Sequence, residues 1–243
     1  MSALRLLVLL LPVLASAAPL PLRVCADRND WVPYTYGERD GLLQQRLRQL
    51  APRLDFALEL VALPWPRCKA EVARGTMDAL LGSSANPEAL AEFAFPLREG
   101  APDAARALVQ TELVLLRAAG SRVSWDGQQL RGLSGQVMYI QNYREVGAAL
   151  RAHGIPGDGG GLANEQNAQK VLAGRSNVMA TYAGDARALL ERPEFRGRLE
   201  LLTPALSSGT YYLAFNRNYY KAHTAQVEAL WKASARPAGI MRP

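Results

Sequence analysis

The stretch from Phe56 to Leu81, FALELVALPWPRCKAEVARGTMDALL, decides the fold. Phe56 to Leu63 reads as a β-strand. Pro66 sits well in the first turn of a helix, where its missing N–H costs nothing. That helix runs to about Arg74, and Gly75 stops it. Met77 to Leu81 reads as the next strand. Upstream, Leu22 to Ala26 is a short β-prone run. Asp40 can cap a helix in which Leu43, Leu47, Leu50 and Leu54 recur at helical spacing, with Pro52 ending it early. Repeated strand-helix-strand units argue for a parallel sheet with helices on its faces.

The pattern restarts downstream. Glu112 to Leu116 reads as a strand with no obvious partner helix. Gln136 to Ile140 is a strand, followed by a helix from about Tyr143 to Ala152. The glycine-rich segment His153 to Gly161 reads as a loop. Asn164 to Ala173 is helical and Gly174 ends it. Asn177 to Thr181 is a strand, Asp185 to Glu191 a short helix, and Leu199 to Thr203 and Thr210 to Phe215 two further strands. The final helix puts Val227, Leu230, Trp231 and Ser234 on one face. The strands near Glu112 and Tyr211 can pass between two α/β units. The last helix then returns to the first unit, and a cleft is left between them. Ligands favour such interfaces and the carboxyl ends of parallel strands.

The N-terminal residues carry an export signal. Arg5 is the only charge before Arg23, Leu6 to Leu14 is apolar apart from Pro12, and Ala15-Ser16-Ala17 is a small-x-small exit. This order matches a cleaved signal peptide over residues 1–17 and a periplasmic destination. A membrane anchor is the alternative, but the apolar run falls short of the ~20 residues a span needs. The remaining chain, 49% hydrophobic overall, is ample for packed cores and excludes a disordered tail. The net charge of +6 comes from scattered arginines with no basic run, so nucleic acid is not an expected partner. Two cysteines in an exported chain suggest a Cys25–Cys68 disulfide; two buried free thiols are the alternative. With no CxxC motif and two histidines remote from both cysteines, neither a metal nor a cofactor is expected.

Several pieces, in order, resemble solute-binding protein family 3, the periplasmic proteins that serve polar amino-acid transporters and related sensors. Leu22-Arg23-Val24 with Pro33-Tyr34 looks like its first strand and pocket loop. Pro64-Trp65-Pro66-Arg67 and Val72-x-x-Gly75-x-x-Asp78-Ala79 look like its second strand, helix and third strand. Asn86-Pro87-Glu88, Phe93-Ala94-Phe95-Pro96 and Tyr212-Leu213-Ala214-Phe215 match later stretches. Cysteines near the first strand and after the Pro-Trp pair look like a variant subgroup. The resemblance implies the two-lobed type II periplasmic binding protein fold, an α/β architecture with two crossover strands and a cleft between lobes. Residues 20–110 with 216–243 would form one lobe and 111–215 the other. It also implies a monomer that passes a small-molecule ligand to an ABC-type membrane transporter or a sensor. The family usually places a carboxylate-gripping arginine just after the Pro-Glu pair, where this chain has Ala89 and Leu90. The aspartate that holds an α-amino group should fall near Thr181 or Tyr182, and neither is acidic. A standard α-amino acid is therefore a poor fit.

The predicted cleft groups all lie at carboxyl ends of strands. They are Trp31, Tyr34 and Tyr36 after the first strand, Trp65 and Arg67 after the second, and Ser83 and Ser84 after the third. Gln141, Asn142 and Tyr143 follow the main strand of the second unit, and Tyr182 follows the next. Aromatic faces can stack on flat or cationic solutes, and the hydroxyl and amide groups can give directional hydrogen bonds. Each also has an ordinary structural role open to it, and Arg67 is equally readable as a solvated first-turn arginine. Catalytic readings are weaker. Gly132-Leu133-Ser134-Gly135 lacks the nucleophile-elbow spacing. Gly157-Asp158-Gly159-Gly160-Gly161 lacks the Lys-Ser/Thr ending of a phosphate loop. His153 and His223 have no visible nucleophile. A dehydratase-like enzyme on the same scaffold, with Glu88, Glu92 or Glu165 as general acid, and a ligand-free signalling or scaffold protein are the alternatives.

Overall fold

The computed structural model describes residues 18–141 and 143–235. The signal peptide expected over residues 1–17, together with Asn142 and the last eight residues, lies outside the described residues. Eight strands longer than two residues form the main sheet: β1 (Leu20–Asp27), β2 (Phe56–Leu63), β3 (Ala79–Ser84), β4 (Val109–Ala118), β5 (Val137–Ile140), β6 (Gly157–Gly161), β7 (Val178–Tyr182) and β8 (Leu199–Asn216). The helices are α1 (Leu42–Leu50), α2 (Trp65–Arg74), α3 (Pro87–Glu92), α4 (Arg144–Ala152), α5 (Asn164–Leu172), α6 (Ala183–Glu191), α7 (Arg217–Ala222) and α8 (Thr224–Ser234).

The sheet order is β6-β5-β7-β4-β8-β3-β1-β2, with a ninth short strand, Phe93–Ala94, on β8. β1 is parallel to β2 and β3, and β5 is parallel to β6 and β7. Between these triads β4 and β8 run antiparallel to each other and to their outer neighbours. Each parallel triad with its helices makes one lobe, and β4 and β8 join them. Central β1 is buried along Val24, Cys25 and Ala26, which suits a strand covered on both faces.

Local chemistry fixes most boundaries. Pro66 lies in the first turn of α2, and Gly75 at φ +80° closes it, its N–H reaching the carbonyls of Glu71 and Val72. A Cys25–Cys68 disulfide ties α2 to β1 with the Cα atoms 5.5 Å apart. Asp40 does not cap α1 as expected. Gly41 takes that position, the Gln44 side chain accepts its N–H at 2.7 Å, and Asp40 pairs with Arg48. A short 3-10 turn over Ala51–Leu54, with Pro52 near its start, ends the helical run early.

Two further expectations are corrected. Residues 157–161 are not a loop but the edge strand β6. The glycines make this possible: the Tyr139 ring lies so close to Gly157 and Gly159 that a Cβ there would sit 3.0 and 2.8 Å from it. The two strands expected over 199–215 are one, β8. Its ladder with β4 shifts register between Leu202 and Ser207, where an extra stretch containing Pro204 leaves the pairing without ending the strand.

The last helix packs on α1 and the following 3-10 turn. Val227, Leu230, Trp231 and Ser234 are its buried residues, and Trp231 Nε1 donates to the Leu213 carbonyl at 2.7 Å. Arg46 of α1 donates to the carbonyls of Ala233 and Ala235 at 3.0 and 2.8 Å, matching its charge to the negative end of α8. Among the described residues no helix is long and apolar enough to cross a membrane.

Candidate functional site

The carboxyl ends of β1, β3, β5 and β7 converge between the lobes, with the middle of β8 beside them. The centre is Trp31, held in a tight loop after β1 where the Trp31 N–H donates to the Thr35 carbonyl at 2.9 Å and the Tyr34 N–H to the Trp31 carbonyl at 2.7 Å. Its ring centroid lies 4.7 Å from Tyr34, 4.9 Å from Tyr211 and 5.4 Å from Tyr182. One face packs on Gly82, the extra residue of a bulge in the β3–β8 ladder, at φ +89°. A Cβ there would meet Trp31 Cζ3 at 2.9 Å, so both backbone and packing require glycine.

Two carboxyl groups organise the far wall. Asp185, in the first turn of α6 and 4% exposed, accepts the Val32 N–H at 3.0 Å and the Tyr143 hydroxyl at 2.8 Å. Thr181 Oγ1 is 3.4 Å away. Burial pushes this carboxyl up to about 7, although the hydrogen bonds from Tyr143, Val32 and Thr181 oppose the rise. Glu145 on α4 accepts Ser84 Oγ at 3.2 Å and the Tyr182 hydroxyl at 3.5 Å, and Tyr211 donates to the Tyr182 hydroxyl at 3.2 Å. Burial holds the Tyr143 and Tyr182 phenols well above their ordinary range, so both are donors throughout the physiological range.

These groups enclose an inner chamber of about 60 Å³, lined also by Asp27, Asp30 and Trp65. Burial raises the Asp27 carboxyl, with the Asn29 N–H at 3.1 Å in partial compensation. The Trp31 Nε1 proton is buried without an acceptor. An outer chamber of about 550 Å³ opens beside it, lined by Ser83, Ser84, Asn86, Ala89, Arg144 and Ser207–Gly209 among others. Trp65, Glu145 and Tyr211 line both. The outer volume suits a small organic solute; the inner one suits a single functional group. Among the described residues no group of three or more His, Cys, Asp or Glu is placed to hold a metal ion.

The expected residues divide by location. Trp31, Trp65, Tyr143 and Tyr182 line the inner chamber, and Ser83, Ser84 and again Trp65 line the outer one. Tyr34 lies buried behind Trp31. Tyr36, Arg67 and Gln141 lie off both chambers. Tyr36 carries the Arg39 guanidinium 3.8 Å over its ring. Arg67 pairs with Glu71 one helical turn on, its side chain 63% exposed. Gln141 is exposed, and Asn142 lies outside the described residues. Ala89 is buried on α3, its N–H accepted by Asn86 Oδ1 at 2.9 Å. Residue-by-residue reasoning missed Asp185, Glu145 and Tyr211. Asp185 and Glu145 occupy the same positional class as the expected residues, the first helical turn after a strand.

No protein-family model and no curated protein matches the chain. Solved structures do. The ligand-binding core of GluR0 from Nostoc punctiforme, in complex with L-glutamate, is 16% identical, covers 89% of this chain and 95% of its own, and superposes at a TM-score of 0.65. The arginine-, lysine- and histidine-binding protein ArtJ of Geobacillus stearothermophilus is 17% identical over 87% and 88% of the two chains, at 0.65. The second VFT domain of Bordetella pertussis BvgS is 16% identical over 88% and 86%, at 0.64. At such identities the likeness concerns architecture. This chain therefore has the two-lobed α/β fold of the type II periplasmic binding proteins.

Proposed function

We propose that this protein is an exported solute-binding protein that captures a small polar or aromatic molecule between its lobes and presents it to an ABC-type transporter or a sensory partner. The observation that carries the reading is the chamber between the lobes, walled by Trp31 and Trp65 from one side and by Tyr143, Glu145 and Tyr182 from the other. A solute touching both walls favours the closed arrangement, which is how such a protein converts binding into a change of shape. The division into lobes of residues 20–110 with 216–243 and of 111–215 belongs to this reading, and the packing of α8 on α1 supports it. Periplasmic residence is supported by the Cys25–Cys68 bridge, since disulfides persist in oxidising compartments.

A purely binding role is favoured over catalysis by the state of the acidic candidates. Glu165 is tied to Arg192 in an exposed ion pair. Glu88 and Glu92 are exposed at the rim of the outer chamber, Glu88 near Lys69 at 3.6 Å. None of the three lines the inner chamber. The test is a thermal-shift screen over amines, organic acids, sugars and amino acids. A solute that stabilises the protein with concentration dependence supports the reading. Turnover of a dehydratase substrate such as prephenate would replace it with the enzyme.

A further inference from the structure

We propose that the solute is an organic monocation, an alkylammonium or quaternary ammonium compound with a neutral polar tail and no carboxylate, its charged head seated in the inner chamber. This rests on reading the cleft as a solute site and adds the charge of the ligand. Asp27, Asp30 and Glu145 line the inner chamber, and no lysine or arginine is among its lining residues. Asp27 is the most telling of the three. Burial disfavours its charge, the nearby Arg28 offsets this only in part, and a cation placed beside it adds counter-charge. Trp31 and Trp65 line the chamber as well, and an aromatic wall shares this preference for a cation, most strongly when water is excluded.

Other ligand classes meet a specific obstacle. An anionic head would face three carboxylates with no compensating cation. A neutral polyol can donate to the three carboxylates but brings them no counter-charge. The tail lies in the outer chamber, where Ser83, Ser84 and Asn86 offer neutral hydrogen-bonding groups and the lining cations Lys69, Arg144 and Arg151 are matched in number by Glu88, Glu92 and Glu145. Continuity between the chambers through Trp65, Glu145 and Tyr211 makes one elongated site of the two.

The experiment compares six compounds by thermal shift and calorimetry on the unaltered protein: choline, its neutral isostere 3,3-dimethyl-1-butanol, its carboxylated counterpart glycine betaine, n-butylammonium, succinate and glucose. Choline or n-butylammonium should raise Tm by roughly 2–4 °C at several times its Kd, and the neutral isostere should not. Glu145→Gln and Asp27→Asn should each weaken that cation about tenfold or more while the circular dichroism of the free protein is unchanged. The isostere comparison stands even where a variant fails to fold. Equal binding of choline and its isostere overturns the proposal, as does preference for succinate or glucose; equal binding of glycine betaine overturns the exclusion of a carboxylate. Silence of both cations, while another solute from the broad screen binds, removes the cation and leaves the solute-binding reading. Silence across both panel and screen removes both.

Discussion

The Val32 N–H and Asp185 Oδ1 meet at 3.0 Å, joining the loop after β1 to the first turn of α6 from positions 153 residues apart. The backbones are close as well. A Cβ on Gly184 would lie 2.3 Å from the Val32 carbonyl oxygen, so only glycine lets the two segments approach this far. Tyr143 reinforces the contact, donating to Asp185 and lying 3.4 Å from the Asp30 carbonyl. Asp30 and Tyr143 also line the inner chamber.

Asp185 makes the clasp sensitive to pH. Its folded carboxyl is raised to about 7 from 3.8, mainly by burial. Between those values the folded form holds a proton that the unfolded chain has released. The contribution of Asp185 is therefore fully present below about 4, declines as pH rises, and is lost above about 7. The loss is at most about 4 kcal/mol, and Asp27, also raised by burial, acts in the same direction. Melting temperature measured from pH 5 to pH 8 should fall with pH more steeply in the native protein than in Asp185→Asn. Identical slopes would remove Asp185 from this role.

Gly82→Ala should cost about 1–3 kcal/mol, because it strains a backbone at φ +89° and pushes on Trp31 Cζ3. The expected signature is a lowered Tm together with a shifted tryptophan emission. Unchanged emission would mean that Trp31 does not rest on Gly82 in solution.

Replacing both Cys25 and Cys68 by serine should destabilise the protein by about 4 kcal/mol, from chain-entropy reasoning over a sequence separation of 43. Mass spectrometry of the non-reduced protein should show two hydrogens fewer than the reduced form. Two freely alkylated thiols would contradict the bridge.

Glycine, histidine and glutamine should bind weakly or not at all. Without a buried bidentate arginine at Ala89, the α-carboxylate forgoes about 2–5 kcal/mol, thirtyfold or more in affinity. Calorimetry settles the point. Micromolar affinity for any of the three would mean that another cation, such as Arg144 in the outer chamber, grips the carboxylate.

The sequence reading was most accurate where a local signal sufficed. Pro66 and Gly75 bound α2, and the apolar run from Phe56 to Leu63 coincides with β2. It failed where tertiary packing overrode composition. Five residues of GDGGG are an edge strand because Tyr139 covers the glycines, and Pro204 interrupts a ladder rather than a strand. The chamber itself was partly legible. Trp31, Trp65, Tyr143 and Tyr182 follow from their places at strand ends. Asp185 did not stand out, because its partners Val32 and Tyr143 are remote in sequence and a helix-start aspartate is ordinary. Tyr211 stands in the sequence only as part of a strand passing between the units, and nothing local marks which tyrosine of that strand faces the cleft.

The central claim is that a solute binds in the chamber between the lobes, against Trp65. The direct measurement is a calorimetric titration of the most stabilising solute into the native protein and into Trp65→Ala. Trp65 lines both chambers and is only half-buried, so its removal should leave the free protein folded. Affinity should be about tenfold weaker or more in the variant, with circular dichroism unchanged. Equal affinity in the two proteins would place the solute elsewhere and contradict the account.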